Sequence, residues 1–167
     1  MHVLFVCTGN ICRSPTAERL AVAYAAESGV QLTASSAGTH GLTGRAMDET
    51  AALVLRQLGG EPDGFAARRI STRIADDADL ILTMTTRHRD EVLTIAPRKM
   101  RRTFTLLEAA GLVEQSGAQS LDELAAARAR HSVDAFDIAD PYTKSHDVYE
   151  NVGQQIADAL PGIIRLI

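Results

Sequence analysis

Val3-Leu4-Phe5-Val6 is an unbroken apolar run of strand-forming residues, the pattern of a strand buried on both faces of a parallel sheet. It gives way to the polar string Cys7-Thr8-Gly9-Asn10-Ile11-Cys12-Arg13. Ser14-Pro15 then predicts a helix start, with serine as N-cap and proline at the first helical position. Ala17, Leu20, Ala21 and Tyr24 share one face of that helix, and Gly29 marks its stop. Residues 32–37 predict a second strand, followed by a loop holding Gly38, Gly41 and Gly44. Helical spacing (Ala51, Val54, Leu55, Leu58) runs over 47–58 and ends at Gly59-Gly60. Residues 79–84, centred on Leu80-Ile81-Leu82, predict a third buried strand, and 87–96 a short helix ended by Pro97. Residues 103–107 predict a fourth strand, and 121–130 are Ala-rich with helical propensity. Val148, Val152, Ile156, Ala159, Leu160 and Ile163 stripe a C-terminal amphipathic helix. The segment 111–135 has the weakest pattern and reads as a surface insertion.

Strands alternating with helices imply right-handed crossovers and an α/β fold: one domain over residues 1–167, with a parallel sheet of about four strands flanked by helices. The 167-residue length and the 46% apolar and 23% charged composition are those of an ordinary globular domain. A net charge of −4 gives no electrostatic reason to expect nucleic acid or an anionic membrane as partner. No apolar run approaches the ~20 residues of a spanning helix, and no basic leader precedes Val3, so a cytoplasmic location is expected. His2, His40, His88, His131 and His146 lack ligand spacing, so neither a metal nor a cofactor is expected. The basic cluster Arg98, Lys99, Arg101 and Arg102 reads as a solvated face, and Arg68 and Arg69 as partners of surface carboxylates.

Two cysteines close together at the chain start are too few for a disulfide scaffold, which suits a thiol with a chemical task. Five residues between Cys7 and Arg13 let the backbone curl into a ring whose N–H groups point inward at an oxyanion. The following helix adds its positive end. Gly9 permits unusual backbone conformations, and Asn10 tolerates a left-handed φ. Arg13 closes the ring with a planar fork that matches two phosphate oxygens. These positive surroundings favour the thiolate form of Cys7, the nucleophilic form. Ser14 has two readings, a helix cap and a hydroxyl that stabilises the Cys7 thiolate, and Cys12 reads as a small buried residue.

The string Val6-Cys7-Thr8-Gly9-Asn10-Ile11-Cys12-Arg13-Ser14-Pro15 resembles the phosphate-binding loop of the low-molecular-weight protein-tyrosine phosphatases. Ser35-Ser36-Ala37-Gly38-Thr39 and Asp140-Pro141-Tyr142 are similar to two further segments of that family, so the resemblance spans the chain. It implies a protein-tyrosine phosphatase working through a cysteinyl-phosphate, with Cys7 as nucleophile, Arg13 as clamp and Asp140 as general acid. It further implies that Ser36 bonds Asn10 and holds the loop open, and that Leu42 and Tyr142 line the substrate cleft. Many members carry an aromatic residue where this chain has Leu42, and a second tyrosine where it has Thr143. That departure looks like the bacterial branch associated with polysaccharide-synthesis kinases. The implied partners are tyrosine-phosphorylated proteins, a bacterial tyrosine kinase among them. Two alternatives share the scaffold. Protein-arginine phosphatases typically carry a smaller threonine where this chain has Ile11, and arsenate reductases need resolving cysteines that this chain lacks after Cys12. The alternative of another class is a phosphate-binding module without catalysis.

Overall fold

The alternation along β1 (His2–Cys7) explains the layering of the molecule. The computed structural model describes residues 1–167. Val3, Phe5 and Cys7 face one buried cluster, and Leu4 and Val6 face another. A strand with apolar residues on both faces must be covered on both faces, which requires helices on each side of the sheet.

The remaining elements follow in order: α1 (Arg13–Glu27), β2 (Thr33–Gly38), α2 (Glu49–Gln57), α3 (Thr72–Asp76), β3 (Leu80–Thr83) and α4 (Thr86–Ile95). A 3-10 turn (Pro97–Arg102) leads to β4 (Thr103–Thr105), then α5 (Leu106–Ser116), α6 (Leu121–Ala127) and α7 (His146–Ile164). The four strands pair in parallel in the order β2-β1-β3-β4. The chain moves from β1 outward to β2, then crosses back to β3 on the other side of β1. The carboxyl ends of β1 and β3 therefore border the point where connections diverge, the crevice in which open α/β sheets bind ligands. The larger cluster packs α1, α5 and α7 on one face, and the smaller one, with Ala75, Val92 and Ala96, lies under α3 and α4.

Four sequence expectations need correction. Ser14 is not the N-cap of α1. Cys12 occupies that position with no side-chain bond, and Ser14 and Pro15 lie within the first turn. The first-turn N–H groups are thus left uncapped, as an anion site requires. The fourth strand stops at Thr105, because Thr105 and Glu108 form a capping box that starts α5 at once. The segment 111–135 is no insertion: Leu112, Val113, Leu124 and Ala127 are buried in the main core, and Gly111 faces Val133. Finally, Arg68 has no carboxylate partner; its Nε donates to the Ser36 carbonyl at 2.8 Å. The basic cluster is largely paired or spent on local bonds, with Arg98 on Asp76, Arg102 on Asp122 and Lys99 on the Ala78 carbonyl.

The end of β2 presses directly on the loop after β1. A Cβ on Gly38 would lie 2.2 Å from the Thr8 carbonyl oxygen and 2.8 Å from the Gly41 Cα. Both neighbours are backbone, so neither can rotate away. Gly38→Ala should therefore destabilise the fold by about 1–3 kcal/mol, the usual cost of overpacking. Urea denaturation measures it, and an unchanged midpoint would show that the two loops are not in this contact.

Candidate active site

The loop from Cys7 to Arg13 is shaped by bonds on its outer side. The carbonyls of Cys7, Thr8, Gly9 and Ile11 accept from the backbone N–H groups of Thr39, His40, Leu42 and Asp48, at 2.9, 3.0, 3.0 and 2.9 Å. With those carbonyls turned outward, the N–H groups of Thr8, Gly9, Asn10, Ile11 and Cys12 have no protein acceptor. Five uncommitted donors on one short curl form an anion cradle, and the N-terminus of α1 continues it.

Asn10 holds the curl from inside. It is fully buried with φ at 58°, the left-handed region that asparagine tolerates. Its amide donates to Ser14 Oγ at 2.9 Å and Ser36 Oγ at 2.8 Å, and its oxygen accepts from the Arg68 N–H at 2.9 Å. Ser36 in turn donates to Glu18 at 2.5 Å. The expected Ser36–Asn10 bond is present. The special backbone position of the loop is Asn10 rather than Gly9, whose φ is not positive and where a Cβ would make ordinary contacts from 3.6 Å. Ser14 Oγ lies 2.9 Å from Cys7 Sγ. It accepts from Asn10, and of the two acceptors its own proton can reach, Cys7 Sγ at 2.9 Å is nearer than the Ala37 carbonyl at 3.5 Å.

A cavity of about 310 Å³ opens over the loop, lined by Cys7, Thr8, Gly9, Ile11, Cys12, Arg13, His40, Leu42, Asp140 and Tyr142. Cys7 and Arg13 come from the two ends of one loop, whereas Asp140 and Tyr142 arrive from 127 and more residues downstream. Arg13 is 4% exposed. Its Nη1 donates to the Ile138 carbonyl at 2.8 Å, its Nη2 lies 3.5 Å from Asp140 Oδ2, and its Nε is buried with no partner. Such an orphaned donor in a cationic group needs an acceptor from outside the chain. The loop that carries Asp140 is anchored just before it: the Ile138 N–H donates to the Met84 carbonyl at 2.8 Å, and Asp137 accepts from the Thr86 N–H at 2.8 Å. Asp140 Oδ1 then accepts from the Tyr142 N–H at 3.2 Å, leaving a half-exposed carboxylate over the cavity. Thr143 adopts φ of 63°, unusual for a β-branched residue, and turns the chain toward α7.

The surroundings of Cys12 hold its thiol neutral. Burial, then the negative charges of Asp48, Cys7 and Asp140, push the Cys12 thiol up, so it stays protonated. Cys12 also packs in the main core, in keeping with a space-filling role. Both cysteines are free thiols.

Sequence reading missed four contributors: His88, His40, Arg68 and Ile138. Arg68 and Ile138 act through backbone or long-range bonds that no local pattern announces. His88 had a signal, since it follows the third strand by five residues, at the sheet end where ligands bind. It is 3% exposed and bonded to Thr8 and Thr85. His40 sits at the cavity rim.

The family model for low molecular weight phosphotyrosine protein phosphatase matches residues 2–167. The chain is 36% identical over 150 residues to the low molecular weight protein-tyrosine-phosphatase Etp of Escherichia coli, covering 90% of this chain and 83% of Etp. It superposes with a TM-score of 0.81 on the low molecular weight protein tyrosine phosphatase of T. tengcongensis, at 27% identity over 100% of this chain and 99% of that one. The arginine phosphatase YwlE of Bacillus subtilis gives 0.79 at 25% identity, covering 98% of this chain and 93% of that one.

Burial, followed by the Arg13 guanidinium, lowers the His88 imidazole from 6.5 to about 4. The unfolded chain therefore takes up a proton below pH 6.5 that the native state refuses until about pH 4. Folding stability should fall as pH drops through that window and be insensitive to His88 above it. An NMR titration of the His88 ring and urea midpoints of wild type and His88→Gln measure this. A ring titrating near 6.5 would contradict the buried, neutral assignment.

Proposed function

Because the chain belongs to the low molecular weight phosphotyrosine protein phosphatase family, we propose that it hydrolyses phosphotyrosine in proteins, with Cys7 as nucleophile, Arg13 as phosphate clamp and Asp140 as general acid. One observation carries the reading. Thr8, Gly9, Ile11 and Cys12, whose backbone N–H groups are uncommitted, and Arg13, whose Nε is orphaned, line one cavity together with a thiol and a carboxylate.

The phosphoryl oxygens occupy the cradle, and the Cys7 thiolate attacks phosphorus from below. As the S–P bond forms and the P–O bond breaks, Asp140 passes its proton to the departing phenolate. Water then attacks the cysteinyl-phosphate and gives a proton to the Asp140 carboxylate, while the S–P bond breaks and its electrons return to sulfur. The Ser14 hydroxyl, 2.9 Å from Sγ, donates to that leaving thiolate. Arg13 and the loop amides lie where charge develops on the equatorial oxygens, the main source of rate in phosphoryl transfer. Leu42 and Tyr142, both partly exposed at the mouth, form walls for the aromatic ring.

Ile11 on the cavity wall favours an aryl ester over a phosphoguanidinium, since its branched side chain fills the space that a smaller residue would leave. The substrates on this reading are tyrosine-phosphorylated proteins, a bacterial tyrosine kinase among them. No helix is long and apolar enough to cross a membrane. A nucleophilic thiol with no disulfide partner fits a reducing, cytoplasmic compartment.

Cys7→Ser should abolish hydrolysis of para-nitrophenyl phosphate in the presence of chelator yet still bind inorganic phosphate, because a serine hydroxyl does not ionise near neutral pH. Binding without turnover by the wild type would favour a phosphate-binding module instead. Asp140→Asn should slow hydrolysis of phosphotyrosine by ~10²–10⁴-fold, the range for losing a general acid. The loss should shrink for leaving groups that depart readily without a proton. An equal loss across leaving groups, read from a Brønsted series, would assign Asp140 a structural role.

A further inference from the structure

His88 is buried, and no step above uses it. It lies in the first turn of α4, where Thr85 Oγ1 caps the helix by accepting from the His88 N–H at 3.2 Å. The same oxygen is 3.0 Å from His88 Nδ1, and Thr8 Oγ1 is 2.8 Å from Nε2. The ring joins the carboxyl ends of β1 and β3 across the crevice. At neutral pH it is uncharged, with one donor nitrogen and one acceptor nitrogen.

Thr85 decides which nitrogen is which. Its oxygen already accepts the cap N–H, and its own proton has one protein acceptor in reach, Nδ1. Nδ1 therefore accepts, Nε2 carries the hydrogen, and Nε2–H donates to Thr8 Oγ1. The Thr8 hydrogen is thereby excluded from that contact. Thr8 lines the cavity beside Cys7 and Arg13, where the acceptors to come are substrate oxygens.

We propose that the Thr85–His88 pair positions the Thr8 hydroxyl as a hydrogen-bond donor to an oxygen of the bound phosphomonoester. Thr8 then belongs to the binding wall through its side chain as well as its backbone, and His88 is its positioning residue. The proposal rests on the phosphatase reading of the cavity. It also accounts for a histidine that burial, and then Arg13, keep neutral: an imidazolium would donate from both nitrogens and would not be able to accept from Thr85.

Long-range proton–nitrogen NMR of the wild type reads the tautomer directly. The Nε2–H form is expected, and the Nδ1–H form would overturn the proposal. Thr8→Val and His88→Leu should each weaken competitive inhibition by inorganic phosphate, and lower kcat/KM for para-nitrophenyl phosphate, by about three- to tenfold, the worth of one neutral hydrogen bond. The double variant should be no worse than either single one. Thr8→Ser, which keeps the hydroxyl, should retain the phosphate affinity that Thr8→Val loses, and His88→Gln should recover part of what His88→Leu loses. Additive losses, or phosphate inhibition unchanged in Thr8→Val, would overturn it. Thermal unfolding of the same variants separates a merely structural role, which would lower Tm without touching phosphate inhibition. If the wild type binds phosphate but turns nothing over, the phosphatase reading fails, and the tautomer and phosphate affinities still judge the relay.

Discussion

A loop that keeps its N–H groups free for a ligand must send its carbonyls elsewhere, and the whole site depends on where they go. In this chain they go to the segment 39–48, whose own N–H groups take up Cys7, Thr8, Gly9 and Ile11 oxygens. The bare Gly38 lets that segment approach, because any side chain there would collide with the Thr8 carbonyl. The donors of the cradle are thereby preorganised before any anion arrives. A preorganised electrostatic site does not have to reorient dipoles during reaction, which is where much of the barrier in water lies.

Asn10 is the internal brace of this arrangement. A buried amide with each of its polar atoms bonded links β2 through Ser36, the strand-like segment at Arg68, and the thiol through Ser14. Buried polar networks of this kind are stabilising only when complete, since a lone unpaired member bears a full desolvation penalty. At the cavity the Nε of Arg13 is buried without a partner. Arg19 Nε and Arg102 Nη1 are also buried without a partner, but Arg13 Nε alone of the three belongs to a residue that lines the cavity with the thiol and the carboxylate.

The β-α-β order was readable because it depends on local chemistry, the Cys7–Arg13 loop offered a suggestive spacing, and the expectation for Asp140 came from the family resemblance. An apolar run makes a doubly covered strand, Cys-x5-Arg has a length suited to ringing an oxyanion, and proline after Asp140 restricts a loop. The misreadings have equally local causes. Ser14 carries a cap residue's identity, but its hydroxyl is claimed by Cys7 and Asn10 instead of the helix N–H groups. The pair Thr105 and Glu108 is a capping box that was present in the sequence and outweighed by the apolar run around it. Residues 111–135 lack clear periodicity because α5 and α6 are short and pack against other helices as well as the sheet.

Residue identity along the chain determined most of the elements and the parallel α/β class, since these follow from periodicity, and it offered Cys7 and Arg13 at a spacing suited to an oxyanion. Three-dimensional packing settled the rest. It set Asp140 3.5 Å from Arg13 across 127 positions, turned the loop carbonyls onto 39–48, gave Arg68 a carbonyl instead of a carboxylate, and put His88 between Thr8 and Thr85. Such contacts join residues from different strand ends. A one-dimensional pattern carries each side chain's capacity to bond, whereas the choice among many partners of equal capacity is made by the fold that brings one of them within 3 Å.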